Sequence, residues 1–270
     1  MLKRFLKAKW SNFYKFEMVK FHQQLINFFL KGRPTMSNIA ILTAAGVGSR
    51  FGQDVPKQFL SINDKPLIVY TMEKFQQHPE IDDIAVVCLD GWEGMLRAYA
   101  KQFGITKLRW VFKGGETGMK SIQNAVFGLR EELKDDDIIL VQDGIRVNTS
   151  ERIITDCIKL TKEKGVAIAT IPLAEVPYFL ENGETKELDR DKLLRTQTPH
   201  GIRYKKLVEI HEEANQKGIT STVATCTLMT QLGYPIYFFD GAETNFKITT
   251  LDDIEIFRAL LVAKKVSWQK

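Results

Sequence analysis

Hydrophobic positions along the chain fall into two regimes that part near Pro34. In the first, Leu2, Leu6, Trp10, Tyr14, Met18, Phe21, Leu25 and Phe28 recur every four or three residues. That is the spacing of one helix face, and Gly32 and Pro34 end it. Beyond it, short apolar runs alternate with helix-periodic segments. Ile39–Thr43 reads as a buried strand, and Pro66–Gln77 as a helix opened by proline in its first turn. Asp83–Leu89, Leu108–Phe112, Asp137–Gln142 and Val166–Ile171 read as further strands. Trp92–Phe103, Ser121–Leu133 and Ser150–Lys164 read as the helices between them, Ser150 serving as an N-cap. After Pro172 the pattern changes. Glu175–Leu194 holds short segments around Asn182-Gly183, a strong hairpin signal. A helix over Arg203–Gln216, a strand over Tyr237–Phe239 and a helix over Leu251–Lys264 complete the chain. The alternation predicts an α/β fold, a mostly parallel central sheet with helices on both faces, plus a β-hairpin arm over about residues 173–195.

Charge sharpens the division. Residues 1–35 hold eight basic residues and one acid, whereas residues 36–270 hold 30 basic and 32 acidic ones. The overall +5 therefore belongs to a basic amphipathic extension, and the main domain is no basic nucleic-acid binder. A basic, aromatic helix suits peripheral contact with an anionic membrane or docking on a partner. Packing on the main domain and a start at Met36 are two further readings of the extension. Its dispersed apolar residues do not make a secretory signal. No apolar run reaches the ~18 residues that span a bilayer. Cys88, Cys157 and Cys226 are widely spaced and odd in number, which fits a reducing, cytoplasmic setting and neither a disulfide framework nor a zinc knuckle.

The most informative stretch is Thr43-Ala44-Ala45-Gly46-Val47-Gly48-Ser49-Arg50, directly after the first strand. Small residues there let backbone N–H groups approach an anion, and Arg50 adds a positive charge. The spacing is neither a P-loop nor the dinucleotide fingerprint. Lys57 follows seven residues later, and two cations beside a small-residue loop suit a polyphosphate. A solvated surface lysine is the alternative. Asp143 ends a strand, where open α/β sheets place their ligands, and a carboxylate there can hold Mg²⁺ or a ribose hydroxyl. Arg146, three residues on, suits a salt bridge or a phosphate clamp. Gly114-Gly115 also ends a strand, before the helix that carries Ser121. The four histidines lack metal-ligand spacing, and no GxSxG elbow occurs.

Several blocks stand in the order and spacing of a known family. They are Ala44-Ala45-Gly46-x-Gly48-x-Arg50, Pro56-Lys57-Gln58-Phe59, Gly114-Gly115 with Ser121, Asp143 with Arg146, Asp189-Arg190, Gln197-Thr198-Pro199 and Asn245-x-Lys247-x-Thr249. From about Ile39 to Leu261 the chain resembles the 2-C-methyl-D-erythritol 4-phosphate cytidylyltransferases and the related ribitol-5-phosphate cytidylyltransferases. The resemblance implies a nucleotide-binding α/β sandwich whose arm commonly forms a homodimer. It implies CTP as substrate, Mg²⁺ as cofactor and a phosphorylated alcohol as acceptor. It casts Arg50, Lys57 and the backbone of Ala44, Ala45, Gly46 and Gly48 as the triphosphate cradle. Gly115 and Ser121 resemble cytosine contacts, and Asp143 the residue beside ribose and Mg²⁺. Arg146, Arg190 and Thr198 resemble acceptor-side residues, and Lys247 the second catalytic lysine.

The acceptor side departs from the methylerythritol pattern. Glu175-Val176-Pro177-Tyr178 replaces Asp-Thr-x-Lys, Gly118 stands for an arginine, and Thr222-Val223-Ala224 replaces a motif with an acid at its second position. Gln142-Asp143-Gly144-Ile145-Arg146-Val147 stands for His-Asp-x-x-Arg-Pro. These departures point to a changed phosphorylated alcohol. A sugar phosphate or phosphonate acceptor and a weakly catalytic nucleotide-binding regulator are the competing readings.

Overall fold

Four of the apolar runs are short, bounded by turns and buried on both faces, and they form four of the five inner strands of one sheet. The computed structural model describes residues 36–46 and 55–267, the last four without side chains. The amphipathic helix expected within residues 1–35 lies outside the described residues, as do Gly48 and Arg50. From Asn38 onward the chain is one compact unit. In chain order it contains β1 (Asn38–Ala44), the small hairpin β2 (Ser61–Ile62) and β3 (Lys65–Pro66), α1 (Leu67–Gln77), β4 (Asp83–Cys88), α2 (Glu93–Gln102), β5 (Leu108–Lys113) and α3 (Gly118–Gly128). There follow β6 (Ile138–Asp143), α4 (Glu151–Lys164), β7 (Val166–Pro172), the arm strands β8 (Tyr178–Glu181) and β9 (Glu184–Glu187), β10 (Leu194–Arg203), α5 (Tyr204–Gln216), α6 (Thr225–Gln231), β11 (Phe238–Asp240) and α7 (Leu251–Ser267).

The seven-stranded sheet has the order β11-β7-β10-β6-β1-β4-β5. All its pairings are parallel except those of β10, which runs against both β6 and β7. Successive side chains of β1 face opposite layers. Ile39 and Ile41 enter a core shared with α3, α5 and α6. On the other side α1 and α7 close a smaller core around Leu67, Tyr70, Ile248 and Phe257. Burying an isoleucine such as Ile39 contributes about 1.5–3 kcal/mol, so these runs hold the sheet whatever their local propensities.

Most expected elements form within a residue or two of their expected ends, and Ser150 caps α4 by accepting from Ile153 N. Three differences have physical causes. Helix α3 begins at Gly118, three residues early, because Thr117 Oγ1 accepts from Lys120 N at 3.1 Å and caps it there. Strand β10 was not expected, since Pro199 lacks a ladder donor and Gly201 lacks a side chain. A register shift between Gln197 and His200 accommodates the proline. A Cβ at Gly201 would run into Cys157 and Thr161, so glycine lets α4 lie close on the sheet. Helix α6, rich in threonine, was also missed and is held by burial of Cys226, Leu228 and Met229. The arm forms as expected, with Asn182 and Gly183 both at positive φ in the turn that joins β8 to β9.

Candidate active site

From β1 the chain steps outward to β4 and β5, then returns to place β6 on the other side of β1. Such a reversal leaves a crevice beyond the carboxyl ends of the strands. Here the register pairs Thr43 with Asp143 at the ends of β1 and β6. A cavity of about 760 Å³ opens there, with Ala44, Lys57, Gly115, Asp143, Thr198 and Lys247 in its walls.

Two backbone loops form its floor. Gln58 is 2% exposed, and its Nε2 donates to the carbonyls of Ala44 at 2.8 Å and Gly46 at 3.0 Å. That bond pair ties the start of the small-residue loop to the short 3₁₀ turn Lys57–Phe59, which carries Lys57 into the cavity wall. Phe59 stacks on Trp92 with ring centroids 4.6 Å apart and anchors the turn. The second loop touches the first, since a Cβ at Gly114 would strike the Ala45 side chain. Gly115 N donates to Ser121 Oγ at 3.0 Å, so the buried serine orients the glycine loop. A Cβ at Gly115 would meet Lys120 at 2.7 Å, which explains the glycine.

The same cavity holds a charged cluster. Lys247 Nζ lies 2.8 Å from Asp143 Oδ1, and Arg146 Nε donates to Asp143 Oδ2 at 3.0 Å. Thr198 Oγ1 sits 3.3 Å from Oδ2 and accepts from Asp143 N at 3.0 Å. Burial pushes the Asp143 carboxyl up, but the charges and hydrogen bonds of Lys247 and Arg146 outweigh it and hold it below the ordinary carboxylate value. The aspartate is therefore ionised at neutral pH, and one carboxylate faces two cations.

Two histidines, His200 and His211, line the same cavity. Burial pushes each ring down from 6.5 to about 4, so both are neutral near pH 7. The unfolded chain takes up a proton below pH 6.5, while the folded chain resists until about pH 4. Stability therefore falls as pH drops through that window, by on the order of 2 kcal/mol per histidine at pH 5. The melting temperature of His211→Phe is expected to decline less steeply between pH 7 and 5 than that of the parent. Parallel profiles would contradict this.

Within one chain the structure brings together Ala44, Ala45, Gly46, Lys57, Gly115, Ser121, Asp143, Arg146, Thr198 and Lys247 around the cavity. Arg190 is absent from its walls and bonds instead to the Ala174 carbonyl within the arm. Gln58 and Asn245 stood inside recognised blocks without a role, and only their buried hydrogen bonds reveal one. Among the described residues no three His, Cys, Asp or Glu side chains cluster as a metal site. No helix among them is long and apolar enough to cross a membrane.

A doubly covered, mostly parallel sheet with its crevice at the strand reversal and cations around a glycine-rich floor defines a nucleotide-binding α/β protein. The family model for 2-C-methyl-D-erythritol 4-phosphate cytidylyltransferase matches residues 38–263, and the chain belongs to that family. It is 40% identical over 231 residues to a ribitol-5-phosphate cytidylyltransferase of Lacticaseibacillus paracasei, covering 84% of this chain and 99% of that one. It is 34% identical over 242 residues to a 2-C-methyl-D-erythritol 4-phosphate cytidylyltransferase of Clostridium tetani, covering 87% and 94%. The Francisella tularensis 2-C-methyl-D-erythritol 4-phosphate cytidylyltransferase superposes with a TM-score of 0.67 at 26% identity, over 82% of this chain and 97% of that one.

Proposed function

We propose that the protein transfers the cytidylyl group of CTP to a polyol phosphate, with ribitol 5-phosphate as the acceptor. The cluster of Asp143, Arg146 and Lys247, which shares one cavity of about 760 Å³ with Lys57, carries the chemistry. The choice of acceptor rests on the 40% identity to a ribitol-5-phosphate enzyme and on Val176 at the arm position where the methylerythritol pattern has threonine.

In this reading an oxygen of the acceptor phosphate attacks the α-phosphorus of CTP. The bond from that phosphorus to the oxygen bridging the α- and β-phosphates breaks, and pyrophosphate leaves. Both reactants are anions, so the protein must align them and neutralise the charge that grows on the phosphoryl oxygens. Lys57, with Arg50, holds the triphosphate over the Ala44–Gly48 backbone. Gly115 and Ser121 present the loop against the cytosine. Lys247 and Arg146 approach from the acceptor side, where Thr198 stands beside Asp143.

The donor set fits a divalent cation carried in by the triphosphate rather than one caged by protein. Asp143 is a single carboxylate at the carboxyl end of the inner strand β6, and Mg²⁺ commonly binds one or two carboxylates plus substrate phosphates. Asp143 would hold it, and the ion would supply charge neutralisation on the phosphates.

The arm serves a homodimer in this proposal. Tyr178, Phe179 and Leu180 are all strongly exposed, and among the described residues β8 and β9 pair only with each other. An isolated two-stranded hairpin is marginal in water. Arg190, outside the walls of its own chain's cavity, is then available to the partner's. Phe179→Glu with Leu180→Lys is expected to convert a dimer to a monomer in light scattering. A monomeric parent, or an unchanged dimer, rejects the arm as the interface. Three free, buried cysteines fit a cytoplasmic enzyme, and residues 36–270 form its catalytic domain.

The test is pyrophosphate release with CTP and Mg²⁺ over ribitol 5-phosphate, methylerythritol 4-phosphate, glycerol phosphates and 2-aminoethylphosphonate. Release with ribitol 5-phosphate at the highest kcat/KM is expected. Preference for another acceptor moves the substrate and keeps the class. Silence with CTP binding intact favours a nucleotide-binding regulator.

A further inference from the structure

Behind the charged cluster stands a buried amide. Asn245 is fully buried, two residues before Lys247. Its Nδ2 donates to Gln197 Oε1 at 3.1 Å and to the Thr198 carbonyl at 2.9 Å. Its Oδ1 accepts from Thr149 Oγ1 at 2.9 Å, and Thr149 in turn accepts from Gln142 Nε2 at 3.0 Å. The backbone carbonyl of Asn245 accepts from Arg146 Nη1 at 2.7 Å. Both amide donors and the amide acceptor are thus used, and Gln197 adds a second tie through Nε2 to the Ala242 carbonyl at 2.9 Å.

These partners belong to three segments: β10, the end of β6 with the turn that follows it, and the loop that leads to α7. The same three segments supply Thr198, Asp143 with Arg146, and Lys247. Lys247 has a long, half-exposed side chain, so the place its ammonium reaches depends on where its backbone is held. On the far side Thr249 is fixed by Asp253 Oδ2, which accepts from Thr249 N at 2.7 Å. The near side is held by Asn245.

The geometry points to Asn245 as a positioning residue that locks the Lys247 loop against β10 and β6, so that Lys247 meets Asp143 and the reacting phosphates. This rests on the proposed role of Lys247 in cytidylyl transfer. Asn245 touches no reacting atom. An amide that only fills the core would cost stability when changed. One that positions Lys247 costs turnover, and only while Lys247 is present.

Two variants test this. Asn245→Asp keeps the acceptor and loses both donors, and Thr149→Val removes the hydroxyl at nearly constant volume. Asn245→Asp is expected to lower kcat about 10–100-fold, the scale of a small misplacement, with KM for CTP held within about twofold. In a Lys247→Met background the same change is expected to cost less than about twofold more. Thr149→Val is expected to lower kcat about threefold or more, and it carries the test should Asn245→Asp fail to fold. An unchanged kcat in the single variants, or a full additive loss beside Lys247→Met, overturns the proposal. Crystal structures of the parent and variants give a readout that needs no turnover. The Lys247–Asp143 pair is expected to open beyond about 4 Å, the ion-pair limit, in the variants, and retention at 2.8 Å overturns the positioning role. A parent silent with every acceptor would sink the proposed function, while the crystallographic distance would still judge Asn245.

Discussion

Lys247→Ala is expected to lower turnover about 10²–10³-fold, roughly 3–4 kcal/mol of transition-state stabilisation, in a protein that folds normally. The ammonium sits 2.8 Å from Asp143 on the cavity wall, with its side chain 40% exposed. A pair that exposed contributes little to stability, so its loss should barely move the melting temperature. Its electrostatic role is different. Attack on the α-phosphorus draws negative charge onto phosphoryl oxygens. A preorganised cation there needs no reorganisation as the charge develops. Lys57→Ala is expected to show a loss of the same size from the triphosphate side. Pyrophosphate release at saturating CTP and acceptor measures both. Near-normal kcat in either variant removes that lysine from the mechanism.

Asp143→Ala should cost more, in both function and stability. The carboxylate is shared by Lys247, Arg146 and Thr198. Without it the Arg146 side chain, 11% exposed, loses its carboxylate partner and keeps the Asn245 carbonyl. Removing one partner of a buried pair costs about 3–5 kcal/mol. Asp143 is 18% exposed and Lys247 can relax into water, so about 2 kcal/mol is expected. Turnover is expected to fall by at least about 10³-fold, because the cation cluster loses its organising charge. Asp143→Asn separates the two effects, since it retains hydrogen bonding to Thr198 and loses the charge. Calorimetric melting together with CTP titration distinguishes them. A stable, active Asp143→Ala protein would move the centre of the site elsewhere.

Much of this site was legible along the chain because its parts are local. The small residues at Ala44–Gly48, the pair Gly114-Gly115 and Asp143 each end a strand, and strand ends follow from runs of apolar residues and the breaks after them. Close backbone approach demands small residues, so the glycines mark themselves: a Cβ at Gly114 or Gly115 would collide with Ala45 or Lys120. The hairpin arm was legible for a similar reason, since Asn182-Gly183 adopts the positive φ that its turn requires.

What escaped the sequence depends on partners distant in the chain. Gln58 looks like any polar residue after a lysine until its amide is seen holding the Ala44 and Gly46 carbonyls. Asn245 meets Thr149 across 96 residues and Gln197 across 48. Strand β10 is antiparallel in a parallel sheet and carries a proline, so no local pattern announces it. It nevertheless delivers Thr198 to Asp143.

The sequence by itself determined the layered α/β class, the arm, the phosphate-suited floor and the family to which the chain belongs. Each of these is written in short-range spacing and in the sizes of neighbouring residues. Only the tertiary structure decided that Lys247, 104 residues from Asp143, closes on it beside Arg146, and that Arg190 stays outside its own chain's cavity. The physical reason is that electrostatic contacts act through space. Strand order and loop anchoring set those distances, and neither is encoded in any one segment.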